Sequence, residues 1–224
     1  MIKQDNQSDL SDKIRFISHE IRNNLSICDM YSRIIKVKLE KDNIKNPSID
    51  NALECIHDAL LIIGMNLNDL KSLNVNSKKL YEFKTLATKG FEMGKAYAKE
   101  EDKDINFELS INNSANICVD ECRFLSCIVN IIKNATEAIE NKGNIKVLGR
   151  VENANCILEI SNDGKPISVD NQKHLFDCGF TTKKSGSGFG LNICKKYLQE
   201  QNASLELEKS NSKETVFKIT IPVA

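Results

Sequence analysis

The chain has 224 residues, 41% of them hydrophobic and 28% charged, with 31 basic and 31 acidic side chains and no formal net charge. That length suits one large domain or two modest ones with real cores, and a neutral surface sets up no long-range field for nucleic acid or an anionic membrane. The longest apolar runs, such as ALLIIGM at 59–65, fall well short of the ~20 residues that span a bilayer.

The N-terminal MIKQDNQSDLSDKIRF has no apolar core segment, so no leader peptide is expected and the compartment is taken as cytoplasmic. The eight cysteines lack paired C-x-x-C spacing and mostly sit among apolar residues, as in ECRFLSCIVNII. They are expected to be reduced thiols of the core, neither disulfides nor a zinc site.

Two long helices open the chain. The first is predicted from about Ser8 to Lys41, with a seam of Ile14, Ile17, Ile21, Asn24, Cys28, Tyr31 and Ile35 in alternating steps of three and four. The second follows the break and cap at Asn46-Pro47-Ser48, on a seam of Ile49, Leu53, Ile56, Leu60, Ile63, Leu67 and Leu70. Two such helices form an antiparallel hairpin, and because a hairpin alone buries little, a symmetric dimer with a four-helix bundle is expected. Asn74 to Lys79 is polar and reads as a linker.

The pattern then turns to mixed helix and strand. Leu86 to Glu100 reads as helix and 105–111 alternates as a strand. Glu121 to Asn141 is a strong helix behind the capping candidate Asp120. NIKVLGRVE and NCILEISND form a hairpin, 163–188 is a loop rich in Gly, Ser, Thr and Lys, Gly190 to Gln201 returns to helix, and SLELEKS and TVFKITIPV close the chain as strands. The fold class is therefore α+β: a helical hairpin over 1–75, then an α/β sandwich over 76–224.

Four constellations carry chemistry. In SHEIRNNL, the seam puts His19 on the helix's outer face, where a neutral imidazole is a nucleophile near neutral pH. Glu20 can take its proton or hold its tautomer, and Asn23, four residues on, shares its face. The bland alternative is a solvated face with a chance histidine. In NIIKNATEA, Asn130 and Asn134 share one face of an otherwise apolar helix. Asparagine is mildly unfavourable inside a helix, so the pair suggests ligand contacts. An amide oxygen suits Mg²⁺ on nucleotide phosphates, and Lys133 can add a phosphate contact.

In SNDGKPI, an amide or carboxylate at a strand end can accept from an adenine amino group. Gly164 permits close approach, although the segment alone reads as a turn. In FTTKKSGSGFGL, the glycines at alternate positions lead into a helix whose N-terminus can cradle phosphates. A flexible linker is the plain alternative, and no Lys-Ser or Lys-Thr pair follows the last glycine as a Walker loop requires.

Taken in order, these segments resemble the two-component sensor histidine kinases. SHEIRNNL looks like the phospho-acceptor box and VDECRFLSCIVNIIKNATEAI like the N box. ISNDGKPI resembles the first glycine box, HLFDCGFTTK the phenylalanine box and SGSGFGLNICKKYL the second glycine box. The resemblance implies a dimerising phosphotransfer hairpin followed by a Bergerat-type ATP-binding domain. It implies His19 as phospho-acceptor with Glu20 as acid/base partner, and Asn23 supporting phosphatase action on the partner. Asn134 would bind Mg²⁺ with the ATP phosphates, helped by Asn130 and Lys133. Asn162 or Asp163, beside Gly164, would recognise adenine. Thr181, Thr182, Lys183, Gly186, Gly188, Gly190 and Leu191 would form the lid and its helix entry.

Two positions depart from the pattern. Asn162 and Pro166 replace the first Asp and second Gly of the first glycine box, and Asn24 replaces a proline, which should straighten the first helix. The implied partners are a response regulator receiver domain, a second copy of the chain and an upstream sensor. Two other readings remain: a catalytically weak histidine phosphotransferase or scaffold of a phosphorelay, favoured by the altered glycine box, and a serine kinase or anti-sigma-type regulator, which would not need the His19 face.

Overall fold

A computed structural model describes residues 2–42, 44, 46, 48–49, 52–53, 56, 59–60, 63, 78–98, 103–183 and 188–224, and, in the first helix, the side chains of 17, 20, 21, 23–39 and 41. The chain separates into two compact units, 1–76 with 181–187, and 77–180 with 188–224.

In the first unit, α1 (Ile2–Lys41) starts earlier than the expected Ser8. Its apolar positions run round more than one stripe. Ile17, Ile27, Met30, Tyr31, Ile34, Ile35 and Val37 are all exposed in the single chain, while Ile21, Leu25 and Asp29 are partly covered. The break after α1 is built as expected: the Asn46 side chain accepts from the Ser48 N–H at 3.0 Å. Residues 48–49, 52–53, 56, 59–60 and 63 are helical; Leu67, Leu70 and the polar stretch 74–77 lie outside the described residues.

The second unit is a two-layer α/β domain. A two-stranded sheet pairs β1 (Lys79–Glu82) with β3 (Asn116–Val119). A five-stranded sheet runs β2 (Asp104–Ile111), β4 (Lys142–Glu152), β5 (Asn155–Asn162), β7 (Thr215–Pro222), β6 (Ser204–Ser210), with β2 and β4 parallel and the remaining pairs antiparallel. Neither β1 nor β3 was expected, and Lys79 begins a strand rather than ending a linker.

Buried residues alternate along β4 and β5, so one face of the sheet is the core face. Against it lie α2 (Phe83–Ala98), α3 (Glu121–Ala138) and α5 (Gly190–Glu200). The core is mainly aliphatic with phenylalanines among it: Phe83, Phe124, Ile128, Ile131, Ile132, Ile145, Leu158, Ile160 and Leu198 are enclosed. Each contributes about 1.5–3 kcal/mol of burial. The other face is polar and carries cross-strand ion pairs, Lys146 to Glu108 at 3.0 Å and Arg150 to Glu159 at 2.6 Å.

Among its described residues, the stretch read as loop over 163–188 contains one short helix, α4 (Val169–Gln172), capped by Ser168. The thiols need a larger correction. Cys127, Cys156 and Cys194 are buried, but Cys28, Cys118, Cys122 and Cys178 are exposed. Cys118 alternates with buried neighbours on a four-residue strand, and Cys122 lies in the first turn of α3, away from its apolar stripe. An apolar sequence neighbourhood therefore does not bury them.

Candidate nucleotide-binding site

The site is organised along α3. Asp120 caps the helix, its carboxylate accepting from the Arg123 N–H at 3.1 Å, and the apolar stripe Phe124, Cys127, Ile128, Ile131, Ile132, Ala135 turns inward. Asn130 and Asn134 fall at the edge of that stripe, half-buried. Asn134 Nδ2 donates to Asn130 Oδ1 at 3.1 Å, which fixes how the Asn134 amide is turned. Lys133 stands 5.3 Å from the centre of the Tyr97 ring and 3.9 Å from Glu137. Tyr97 is a neighbour the sequence did not reveal, because α2 carries no motif.

The N-terminus of α5 meets this edge. A Cβ on Gly190 would overlap the Asn130 amide, with Oδ1 at 2.7 Å, so the two helices approach here only because residue 190 is glycine. No side chain caps the first turn of α5. Gly188 has φ +71°, and a Cβ on it would collide with the Gly179 and Phe180 carbonyls. Asn192, also absent from the expected site, donates to the Phe176 carbonyl at 2.7 Å and ties α5 to the phenylalanine-rich segment. Leu191 is half-buried beside it.

The opposite end of α3 closes over the end of β5. The Ala138 carbonyl accepts from the Lys165 N–H at 2.8 Å, and a Cβ on Gly164 would lie 2.5 Å from that same carbonyl oxygen. Asn162 is 4% exposed, and its Oδ1 accepts from the Gly164 N–H at 3.1 Å. Thr215, opposite Asn162 in register and equally enclosed, shares a hydrogen bond with Ser210 at 2.7 Å. Asp163 turns outward. Its Oδ1 accepts from the Asn144 N–H at 2.7 Å and its Oδ2 from Asn144 Nδ2 at 2.6 Å. Partial burial pushes this carboxyl up, but the Asn144 donors outweigh it and hold the group below its ordinary value. From Ala138 back to Asn130 is eight residues, or about 12 Å of helix. One helix thus links the Asn162–Gly164 turn to the Asn130–Asn134 pair.

The remaining expected residues lie elsewhere. Glu20 and Asn23 are exposed on α1 of the first unit, as is Asn24; His19 is in that helix, and its side chain lies outside the described residues. Thr181, Thr182 and Lys183 are exposed, with the Lys183 N–H donating to Thr181 Oγ1 at 3.1 Å. Gly186 lies outside the described residues. Among the described residues no helix is long and apolar enough to cross a membrane.

Residues 119–224 match the family described as histidine kinase-, DNA gyrase B-, and HSP90-like ATPase. Among curated proteins, the chain is 33% identical over 96 residues to sporulation kinase E of Bacillus subtilis (strain 168), covering 42% of this chain and 13% of that one. It is 24% identical over 226 residues to sensor histidine kinase ZraS of Salmonella typhi, covering 92% and 44%. The chain thus spans less than half the length of these relatives. The catalytic domain of histidine kinase ThkA superposes with a TM-score of 0.57 at 23% identity, over 65% of this chain and 95% of that one. The same kinase in complex with response regulator protein TrrA gives 0.56 at 19%, over 99% and 64%. The second unit therefore shares its fold with histidine-kinase catalytic domains, and residues 119–224 within it match that ATPase family.

Proposed function

We propose that the chain is an ATP-dependent protein histidine kinase that phosphorylates itself on His19 and passes the phosphoryl group to an aspartate of a response regulator. The observation that carries this reading is the Asn134–Asn130–Gly190 cluster. A hydrogen-bonded amide pair lies on one helix, and the glycine-opened N-terminus of a second helix lies against it. Backbone N–H groups and a positive helix end suit phosphate oxygens, and an amide oxygen is a hard ligand for Mg²⁺. Asn134 would hold the cation, with Asn130 and Lys133 steadying the phosphates. Bound there, Mg²⁺ would neutralise charge on the β- and γ-phosphates.

The rest is positioning by the chain's own groups. A ring nitrogen of His19 would attack the γ-phosphorus in line as its bond to the β–γ bridging oxygen breaks and ADP leaves, while Glu20 holds or takes the imidazole proton. Asn23, on the same helix face, orients water for hydrolysis of the regulator's phosphoaspartate, releasing inorganic phosphate. Thr181, Thr182, Lys183, Gly186, Gly188 and Leu191 close over the nucleotide. In this reading 1–75 is the dimerising phosphotransfer hairpin, 76–224 is the catalytic domain and the hinge lies in the polar stretch before Lys79. The apolar residues exposed along α1 favour a homodimer. Input arrives from a separate sensor, and the protein works in the cytoplasm.

The test is incubation with γ-³²P-ATP and Mg²⁺, wild type beside His19→Ala and Asn134→Ala. Acid-labile label on wild type and on neither variant is expected. Nucleotide binding should survive His19→Ala but not Asn134→Ala. An unlabelled wild type that also binds no nucleotide would overturn the reading and leave a phosphotransferase.

A further inference from the structure

Lys133 shares the edge of α3 with Asn130 and Asn134, next to one and a turn from the other. Its ammonium stands 5.3 Å from the centre of the Tyr97 ring, within the range of a cation–π contact. A Glu137 carboxylate oxygen is 3.9 Å away, beyond hydrogen-bond reach. Lys133 and Tyr97 are both half-buried, so water screens their contact less than it would on an open surface.

Tyr97 comes to Lys133 through packing register. Along α2, Gly90 lies on Ile128 and Gly94 on Ile132, each so close that a Cβ would fall 2.7 Å from the isoleucine Cδ1. A step of four on α2 matches a step of four on α3, and the next turn of α2 brings Tyr97 to Lys133. An aromatic face holds a cation without cancelling its charge, as a tight carboxylate pair would. The ring also comes from a second helix, so it restricts a side chain that its own helix leaves loose. A lysine ordered in advance loses less entropy when an anion arrives. Long helical side chains lean toward the helix N-terminus, which here is the end carrying Asn130.

We infer that Tyr97 is a positioning residue of the nucleotide site: its ring holds the Lys133 ammonium, charged and pre-ordered, on the Asn130–Asn134 edge for the nucleotide phosphates. The inference rests on the site reading above and deepens it by naming the group through which the lysine is held. Tyr97 acts through Lys133 and touches no phosphate itself.

The experiment is calorimetric titration of the full chain with Mg·ATP for wild type, Tyr97→Leu, Tyr97→Phe, Lys133→Gln and the double variant Tyr97→Leu with Lys133→Gln. Thermal unfolding shows that each is folded. Tyr97→Leu should weaken ATP about two- to fivefold, and Tyr97→Phe, which keeps the ring face, should bind as wild type does. Lys133→Gln should lose at least as much as Tyr97→Leu. Adding Tyr97→Leu to Lys133→Gln should then change nothing further, which a role in packing alone would not give. An equal loss from Tyr97→Leu with and without Lys133 overturns the inference, as does wild-type affinity in folded Tyr97→Leu or Lys133→Gln; the nucleotide site then still stands. If folded wild type binds no ATP, both fall. Should Tyr97→Leu not fold, the other single variants decide: wild-type affinity in Lys133→Gln, or a loss of about twofold or more in Tyr97→Phe, overturns the inference.

Discussion

Gly190 lies so close to Asn130 that a methyl group on it would press into the amide, 2.7 Å from Oδ1. The helix behind the lid and the helix carrying the amide pair come closest to the site at this contact. Gly190→Ala should therefore displace either the amide or the first turn of α5. A displacement of that size near bound phosphates costs about ten- to a hundredfold in affinity or rate. Stability should change little, because alanine is favoured over glycine in a helix by about 1 kcal/mol, offsetting part of the clash. Nucleotide titration beside thermal unfolding reads both. Unchanged affinity in a variant of unchanged stability would show that the close approach does not matter for binding.

A second glycine pair makes the opposite forecast. Gly90 and Gly94, one helical turn apart on α2, sit on Ile128 and Ile132 of α3. A Cβ on Gly90 would lie 2.7 Å from Ile128 Cδ1, and one on Gly94 the same distance from Ile132 Cδ1. Both isoleucines are fully enclosed and cannot swing away. Overpacking of this kind costs about 1–3 kcal/mol, more than the helix-propensity gain. Gly90→Ala and Gly94→Ala should each lower the midpoint of chemical denaturation, and the double variant should fall further. A rise in midpoint for either would mean that the helices separate freely.

Much of this fold was legible because the relevant signals are local. Asp120 before an apolar stripe announces α3, and the alternation in NCILEISN announces β5. The strands β1 and β3 were not legible, since KLYE and NICV are too short for a period of two to stand out and matter only once paired. The site divides in the same way. The spacing of Asn130 and Asn134 puts them on one face whatever the tertiary structure. Whether Asn162 or Asp163 faces inward depends on where β5 ends, and Thr215 looks like any strand threonine until register sets it opposite Asn162.

Asp163 gives a dependence on pH with a definite sign. Its carboxyl, pushed up by partial burial but pulled below its ordinary value of 3.8 by the Asn144 donors, binds protons less readily folded than unfolded. Its contribution to stability is therefore complete above the ordinary carboxylate range and is lost as pH falls through the lower, folded value. Asparagine at 163 keeps an oxygen for the Asn144 N–H but does not ionise. Asp163→Asn should thus lose less stability between pH 6 and pH 3 than wild type does, as measured by the unfolding midpoint at each pH. Parallel curves would mean that the Asn144 bonds do not discriminate between the two protonation states.

The described thiols separate into two reactivity classes; Cys55 lies outside the described residues. Cys28, Cys118, Cys122 and Cys178 are exposed and should react quickly with a thiol reagent in the native protein. Cys127 and Cys194 face each other across the α3–α5 contact, each thiol directed at the other's backbone carbonyl at 3.7 and 3.9 Å. The hydrogen bond to Cys194 and burial together push the Cys127 thiol well up, and burial raises the Cys156 thiol. Since the thiolate is the reactive form, these should label only on unfolding, by way of the global opening that exposes the core. Mass spectrometry of peptides labelled in the native state and in denaturant would assign each cysteine. Fast native labelling of Cys127 would show that α3 and α5 part well below the global unfolding free energy. The contact that sets Gly190 on Asn130 would then be transient rather than fixed.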